Sequence, residues 1–211
     1  MKILALELST KFGSIALLED GLIKKEINWI EQFNDRRQPF EALDKFKTDW
    51  SSIDVYVVGR GPGSFSGLRV AFSVVNALAL PNQNKVIAHN SAETIASKFE
   101  SSDVLVVGDA RRKQLWIGKF KKSKLIEEFK LIEYHELESF VDEKTIVVSS
   151  DYDRLSFLLD SHLKNDFRKC FYPSAEDLAK IVYKKIVNKD KLEEFEPLYL
   201  HPPVFIEPKF N

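Results

Sequence analysis

The chain has 211 residues, room for one large or two small domains, and its 44% hydrophobic and 30% charged residues are the balance of an ordinary soluble fold. Its 31 basic and 32 acidic residues leave a net charge of −1, which argues against an independent grip on nucleic acid. A single cysteine, Cys170, excludes an intramolecular disulfide and fits a reducing cytoplasm, and no run approaches the ~18 apolar residues of a membrane span.

Met1-Lys2-Ile3 enters a strand pattern directly, so no signal peptide is expected. Ile3–Leu8 reads as a buried strand with Glu7 near its end, Ser14–Leu18 as a second strand, and Leu22–Trp29 as a third after the turn Glu19-Asp20-Gly21. Helical apolar spacing follows over Gln32–Phe46, interrupted by Pro39. Ile53–Val58 is a short strand, Leu68–Leu80 a helix stopped by Pro81, Lys85–His89 a strand, and Ser91–Glu100 a short helix.

The opening pattern then returns. Val104–Val107 is an apolar strand ending at Asp109, Gln114–Phe120 a second strand and Leu125–Ile132 a third. Sliding by about 102 residues lays Asp109 on Glu7 and Ile117 on Ile15, which reads as an internal duplication. Helices over His135–Val141 and Asp151–Leu163 alternate with strands over Thr145–Ser149 and Phe167–Phe171. Ser174 opens a last helix to Val187, with Asp177 completing an imperfect capping box. The reading is two related mixed α/β domains, residues 1–102 and 103–194, with a proline-bearing tail, 195–211, folded back on the first. The basic residues Arg111, Arg112, Lys113, Lys119, Lys121, Lys122 and Lys124 read as solvated hairpin charges rather than an RNA site.

The most informative stretch is GRGPGSFSGLRVAFSVVNALAL, residues 59–80. Its glycines join a strand to a helix, and the exposed N–H groups of such a turn can hold an anion. Yet it has no Gly-Lys-Ser/Thr, misses the dinucleotide fingerprint by one residue, and fails the Gly-x-Ser-x-Gly elbow register, so a purely structural turn competes with an anion site. The apolar residues of the following helix span roughly 220°, against the ~100° stripe that covers one core. Either the helix is buried within one subunit, or one face meets a second protein; the pattern alone does not separate these.

The remaining chemistry is sparse. No two of His89, His135, His162 and His201 have metal-ligand spacing, and no metal site is expected. His89 reads as a hydrogen-bonded strand-end residue, Cys170 as a buried inert thiol, and Ser64 and Ser66 lack a visible base. Glu7 and Asp109 read either as acids flanking a cleft or as turn hydrogen-bonding groups.

GRGPGSFSGLRVA resembles the signature of the TsaB (YeaZ) family, and ILALELST, VVGDARRKQLWIGKF, PSAEDLAKI and EPLYLHPP resemble further family segments in the same order. The resemblance implies two ASKHA-type (RNase H-like, actin-like) domains and a cytoplasmic, non-catalytic subunit. Such a subunit works with a TsaD-type transferase and a TsaE-type ATPase to place threonylcarbamoyl on the adenosine beside the anticodon of tRNA. It implies pairing with TsaD, or with itself as a homodimer, through Leu68, Arg69, Phe72, Val75, Asn76, Ala79, Phe40 and Leu43, with tRNA met only through the complex. A vestigial nucleotide or anion site would comprise Glu7, Ser9, Thr10, Gly61, Gly63, Ser64 and Asp109. No cofactor is expected to bind firmly, and ATP or ADP only weakly at the partner interface. Glu7 stands where the family usually has Asp, Asn34-Asp35-Arg36 lacks a family His, and His201 replaces a tail Arg. The competing readings are an ATP-dependent kinase or carbamoyltransferase of the same fold and, behind it, a peptidase.

Overall fold

The computed structural model describes residues 1–31, 37–99, 102–162 and 167–201. Two five-stranded mixed sheets form its frame. In the first, β1 (Lys2–Glu7), β2 (Phe12–Glu19) and β3 (Leu22–Ile30) make an antiparallel meander, and β4 (Val55–Gly59) and β5 (Lys85–His89) add in parallel on the other side of β1, giving the order β3-β2-β1-β4-β5. Asp20 (φ 50°) and Gly21 (φ 83°) supply the left-handed turn that returns β2 into β3.

The second sheet repeats the scheme. β6 (Asp103–Arg111) pairs antiparallel with β7 (Gln114–Lys121), which carries the short β8 (Lys124–Leu125) and β9 (Lys130–Glu133), and β10 (Ile146–Ser149) lies parallel to β6. The two sheets share the α/β duplication expected of ASKHA-type halves. Register refines the repeat. Leu6 faces Ile15 and Gly108 faces Trp116, so the counterpart of Ile15 is Trp116 in place of Ile117, because the second hairpin turn is one residue shorter. That turn is built on Arg111, Arg112 and Lys113, all at positive φ.

Several expected elements change form. The third strand of the second half breaks into β8 and β9. His135–Val141 is a 3-10 run over Tyr134–Phe140. The Phe167–Phe171 strand reduces to one bridge between Cys170 and Ser149, leaving Cys170 half-buried where a buried thiol was expected. The helix expected from residue 32 is α1 (Gln38–Phe46), with Pro39 in its first turn, where a missing N–H costs nothing; Asn34, Asp35 and Arg36 lie outside the described residues.

The helices cross between halves. α1 and α2 (Phe65–Ala79) cover one face of the first sheet, sharing a core of Leu4, Leu6, Phe46, Tyr56, Phe72 and Val75. The opposite face is covered by α5 (Ala175–Asn188), whose Leu178, Ala179 and Val182 meet Ile3, Ala5 and Val57. Conversely, α3 (Ser91–Ala96) places Ala92, Ile95 and Ala96 against Val104, Val106 and Trp116 of the second sheet, and α4 (Tyr152–Leu159) covers that sheet's other face with Leu155 and Leu159. Packing therefore does not follow the sequence grouping of 1–102 and 103–194. α3 from the first stretch completes the second core and α5 from the second completes the first, because each sheet needs an apolar helix on both faces. Among the described residues, no helix is long and apolar enough to cross a membrane.

Leu178 is fully buried. Leu178→Ala should destabilise the chain by about 2–5 kcal/mol in urea unfolding. Hydrogen exchange should show the loss of protection concentrated in β1 and β2 rather than in β6 and β7.

Candidate functional site

The acid at the end of β1 is wholly enclosed. Glu7 is fully buried; its Oε1 accepts from the Ser9 N–H (2.6 Å) and its Oε2 from the Ser91 hydroxyl (2.7 Å). The Ser91 oxygen in turn accepts from the Gly61 N–H (3.1 Å), and the Ser91 N–H donates to the Gly61 carbonyl (2.9 Å). One carboxylate thus ties β1 to the glycine turn and to the start of α3. Burial pushes the Glu7 carboxyl above its ordinary range, with the hydrogen bonds from Ser9 and Ser91 opposing that shift.

The glycines serve this close approach. A Cβ on Gly59 would lie 1.9 Å from Glu7 Oε2, one on Gly63 2.1 Å from the Ser9 carbonyl, and one on Gly67 2.0 Å from the Leu8 carbonyl. Gly61 also takes φ +93°, which side chains rarely adopt. Three of the turn's N–H donors are engaged within the chain: the Ser64 N–H on the Ser9 carbonyl (2.7 Å), the Gly67 N–H on Ser64 Oγ (3.2 Å), and the Gly61 N–H on Ser91. Thr10 is occupied locally, its Oγ1 accepting from the Phe12 N–H.

Asp109, the repeat partner of Glu7, belongs to a separate group. Its carboxylate meets the Arg111 N–H (2.8 Å), the Arg111 guanidinium (3.0 Å) and Arg154 (3.7 Å), while its own N–H donates to Asp151 (3.1 Å). The paired acids of the repeat are thus each absorbed in turn and loop hydrogen bonding.

The helix face expected to meet a partner divides in two. Phe72, Val75 and Ala79 point into the first core, and Leu68 is buried as well, which corrects the expectation that they face outward. The outward strip is Phe65, Ser66, Arg69, Ser73, Asn76, Ala77 and Leu80, with Val70, Val74 and Leu78 half-buried at its edge. Phe65 (56% exposed), Leu80 (72%) and, on α1, Phe40 (55%) stand out as large apolar side chains in water, with Leu43 half-buried beside the core. The over-wide apolar arc is thus a buried face plus a half-buried margin: tertiary packing on the sheet absorbs the centre and leaves the flank.

The tail supplies what the pattern did not. Glu193 forms an antiparallel bridge to Ala88 of β5, and the Leu198 N–H donates to the Arg60 carbonyl (2.8 Å). Phe195 packs on Phe72 with ring centres 4.8 Å apart. Tyr199 packs on Phe65 at 4.9 Å, and the Arg69 guanidinium lies over the Phe65 ring, 4.7 Å from its centre. The tail then reaches the second half, where a His201 ring nitrogen meets the Ala110 carbonyl at 2.6 Å. Residues 202–211 lie outside the described ones. Ser91, Arg60, Glu193 and Tyr199 were not singled out as site residues from sequence, because their roles rest on contacts between distant parts of the chain.

His89, Glu93 and Glu193 bring ligand-type atoms within 4.8 Å of one another. Glu193 sits at Nδ1 (2.7 Å) and Glu93 at Nε2 (3.4 Å), on different edges of the ring. At those distances the three residues already pair with one another, and the group reads as an ion-pair cluster.

Comparison with known proteins agrees with this architecture. Residues 40–135 match the family model described as "TsaD: tRNA N6-adenosine threonylcarbamoyltransferase". The chain is 28% identical over 167 residues to a "tRNA threonylcarbamoyladenosine biosynthesis protein TsaB" of Buchnera aphidicola from Acyrthosiphon pisum, covering 72% of this chain and 73% of that one. It is 31% identical over 136 residues to the TsaB protein of Bacillus subtilis, covering 61% and 59%. The solved structure of YeaZ from Pseudomonas aeruginosa superposes with a TM-score of 0.72 at 22% identity, covering 94% of this chain and all of that one, and shares the fold.

A carboxyl whose folded pKa is raised above its ordinary 4.5 contributes its full stability below that pH and loses it as pH rises through the folded value. Glu7→Gln keeps the acceptor for Ser9 without the buried charge. The stability difference between the variant and the wild type, from urea midpoints, should therefore grow in favour of Gln from pH 5 to pH 8. Glu7→Ala should instead lose about 1–3 kcal/mol for each donor left unmet.

Proposed function

The resemblance to TsaB (YeaZ) proteins holds in sequence and in fold alike, and from that premise we propose that this chain serves tRNA threonylcarbamoyladenosine biosynthesis as a non-catalytic partner subunit. The observation that carries the reading is the Glu7 carboxylate. Both its oxygens are committed to Ser9 and Ser91 behind a glycine turn with no space for a side-chain atom, so it is shut off from a substrate phosphate or metal. An acid that must act on a phosphoryl or acyl group needs a free oxygen within hydrogen-bond reach of it.

The partner in this reading is a TsaD-type transferase, assisted by a TsaE-type ATPase, with a second copy of this chain as the alternative occupant of the same surface. That surface is the outward strip of α2 with Phe40 of α1. Its small residues Ser66, Ser73 and Ala77 let another helix approach closely, and Phe65 and Leu80 offer apolar anchors at either end. Arg69 and Asn76 contribute polar contacts; Leu68, Phe72, Val75 and Ala79 support the helix from beneath. Nucleotide, in this reading, binds weakly at the joint interface, and tRNA is met in the cytoplasm only through the complex.

Leu80→Glu and Ala77→Glu should each weaken co-elution with a TsaD-type protein at least tenfold while leaving thermal unfolding within a few degrees of wild type. Val75→Glu, placing a charge in the core, should unfold the chain. Retention of the complex by both surface variants, or threonylcarbamoyl transfer by this chain alone, would defeat the reading.

A further inference from the structure

His89 ends β5 almost fully buried, 1% exposed, between two carboxylates carried by different elements. Glu193 of the tail faces Nδ1 at 2.7 Å, and Glu93 of α3 lies 3.4 Å from Nε2, close enough for attraction but without hydrogen-bond alignment. The surrounding charges come from every neighbouring element. Arg60 of the glycine turn reaches Glu193 (3.4 Å) and Glu196 (3.5 Å), and Lys185 of α5 reaches Glu93 (3.8 Å). Only an imidazolium offers a proton at both ring nitrogens to both carboxylates; a neutral ring turns one lone pair against a carboxylate.

We propose that the proton on His89 latches the C-terminal segment, Glu193–His201, across the glycine turn and α2, so that raising the pH releases it. Near the latch the segment is also held by Arg60, which reaches Glu193 and Glu196. Its backbone contacts near the latch are the Ala88–Glu193 bridge and the Leu198 N–H to the Arg60 carbonyl, both within a few residues of His89 or its ion-pair partners. Beyond them, Phe195 and Tyr199 rest on α2 and His201 on Ala110. Losing the latch therefore loosens the aromatic cover of α2 while leaving both sheets intact. Burial alone would pull the His89 pKa down, but the hydrogen bond and charge of Glu193 and the carboxylate of Glu93 outweigh it and hold it above 6.5. With a raised histidine pKa, the stabilisation is complete below 6.5 and is lost as pH climbs through the folded value, which places release on the neutral-to-alkaline side.

Hydrogen exchange on the full chain at pH 6.0, 7.0 and 8.5, corrected for intrinsic rates and referenced to β1, tests this. Protection of the 193–200 amides should fall roughly three- to tenfold across that range, the scale on which a hydrogen bond loses its charge assistance. His89→Gln should show the unlatched, pH-independent level, while Glu196→Gln, which touches only Arg60, should keep the pH dependence. Constant tail protection in the wild type, or pH dependence surviving in His89→Gln, would overturn the latch. Should His89→Gln misfold, proton NMR of the His89 ring in the wild type decides: a midpoint at or below 6.5 refutes the proposal.

Discussion

The buried Glu7 carboxylate is the tie on which the first half is organised. A charged or polar oxygen with no access to water must find donors, and here they come from Ser9 and Ser91, one on the turn after β1 and one at the start of α3. Because Ser91 also accepts from Gly61, the carboxylate fixes the glycine turn, and through it the entry angle of α2. Of the three glycines whose missing Cβ atoms allow that approach, Gly63 and Gly67 can be nothing larger without displacing backbone, and Gly59 without displacing the Glu7 carboxylate itself. In a motif that looks like an anion cradle in sequence, the chain's own oxygens take the N–H groups of Gly61, Ser64 and Gly67.

The two halves are held as one body by exchange rather than by a broad flat interface. α3 and α5 each leave their sequence neighbours to cover the other half's sheet, and smaller ties follow the same path. The Ala175 N–H donates to Ser14 Oγ (2.8 Å), Phe12 stacks on Tyr172 with ring centres 5.4 Å apart, and Lys11 pairs with Asp153. The lysine pair is exposed and adds little by itself; the buried helix faces carry the cohesion. The tail completes the arrangement, running from the edge of the first sheet past α2 to the end of β6.

Strands, turns and the duplication were legible because they rest on local rules. Alternation and apolar runs mark β1 through β7, Asp20-Gly21 marks a left-handed turn, and Ser174 with Asp177 marks the start of α5, where Ser174 Oγ accepts from the Asp177 N–H at 3.1 Å. The one-residue slip in the second hairpin was not legible, since turns built on Arg111, Arg112 and Lys113 give no glycine signal. The weak strands of the second half failed for a related reason: Phe129 is spent packing edge-on against Trp116 and Phe120 rather than in a ladder, and the strand around it splits.

By itself the sequence determined two repeated α/β units, the glycine-rich entry into α2 and an apolar arc on that helix too wide for a single stripe. Each follows from properties a residue carries wherever it sits: side-chain period, glycine's backbone freedom, hydrophobicity. Only the tertiary structure decided which part of the arc is core, that Glu7 is sealed by Ser91, that α3 and α5 trade sheets, and that Glu193 closes on His89. Those depend on contacts between residues tens to more than a hundred positions apart, and the energy of a buried charge or an apolar face is set by the partner it meets in space, which no local pattern encodes.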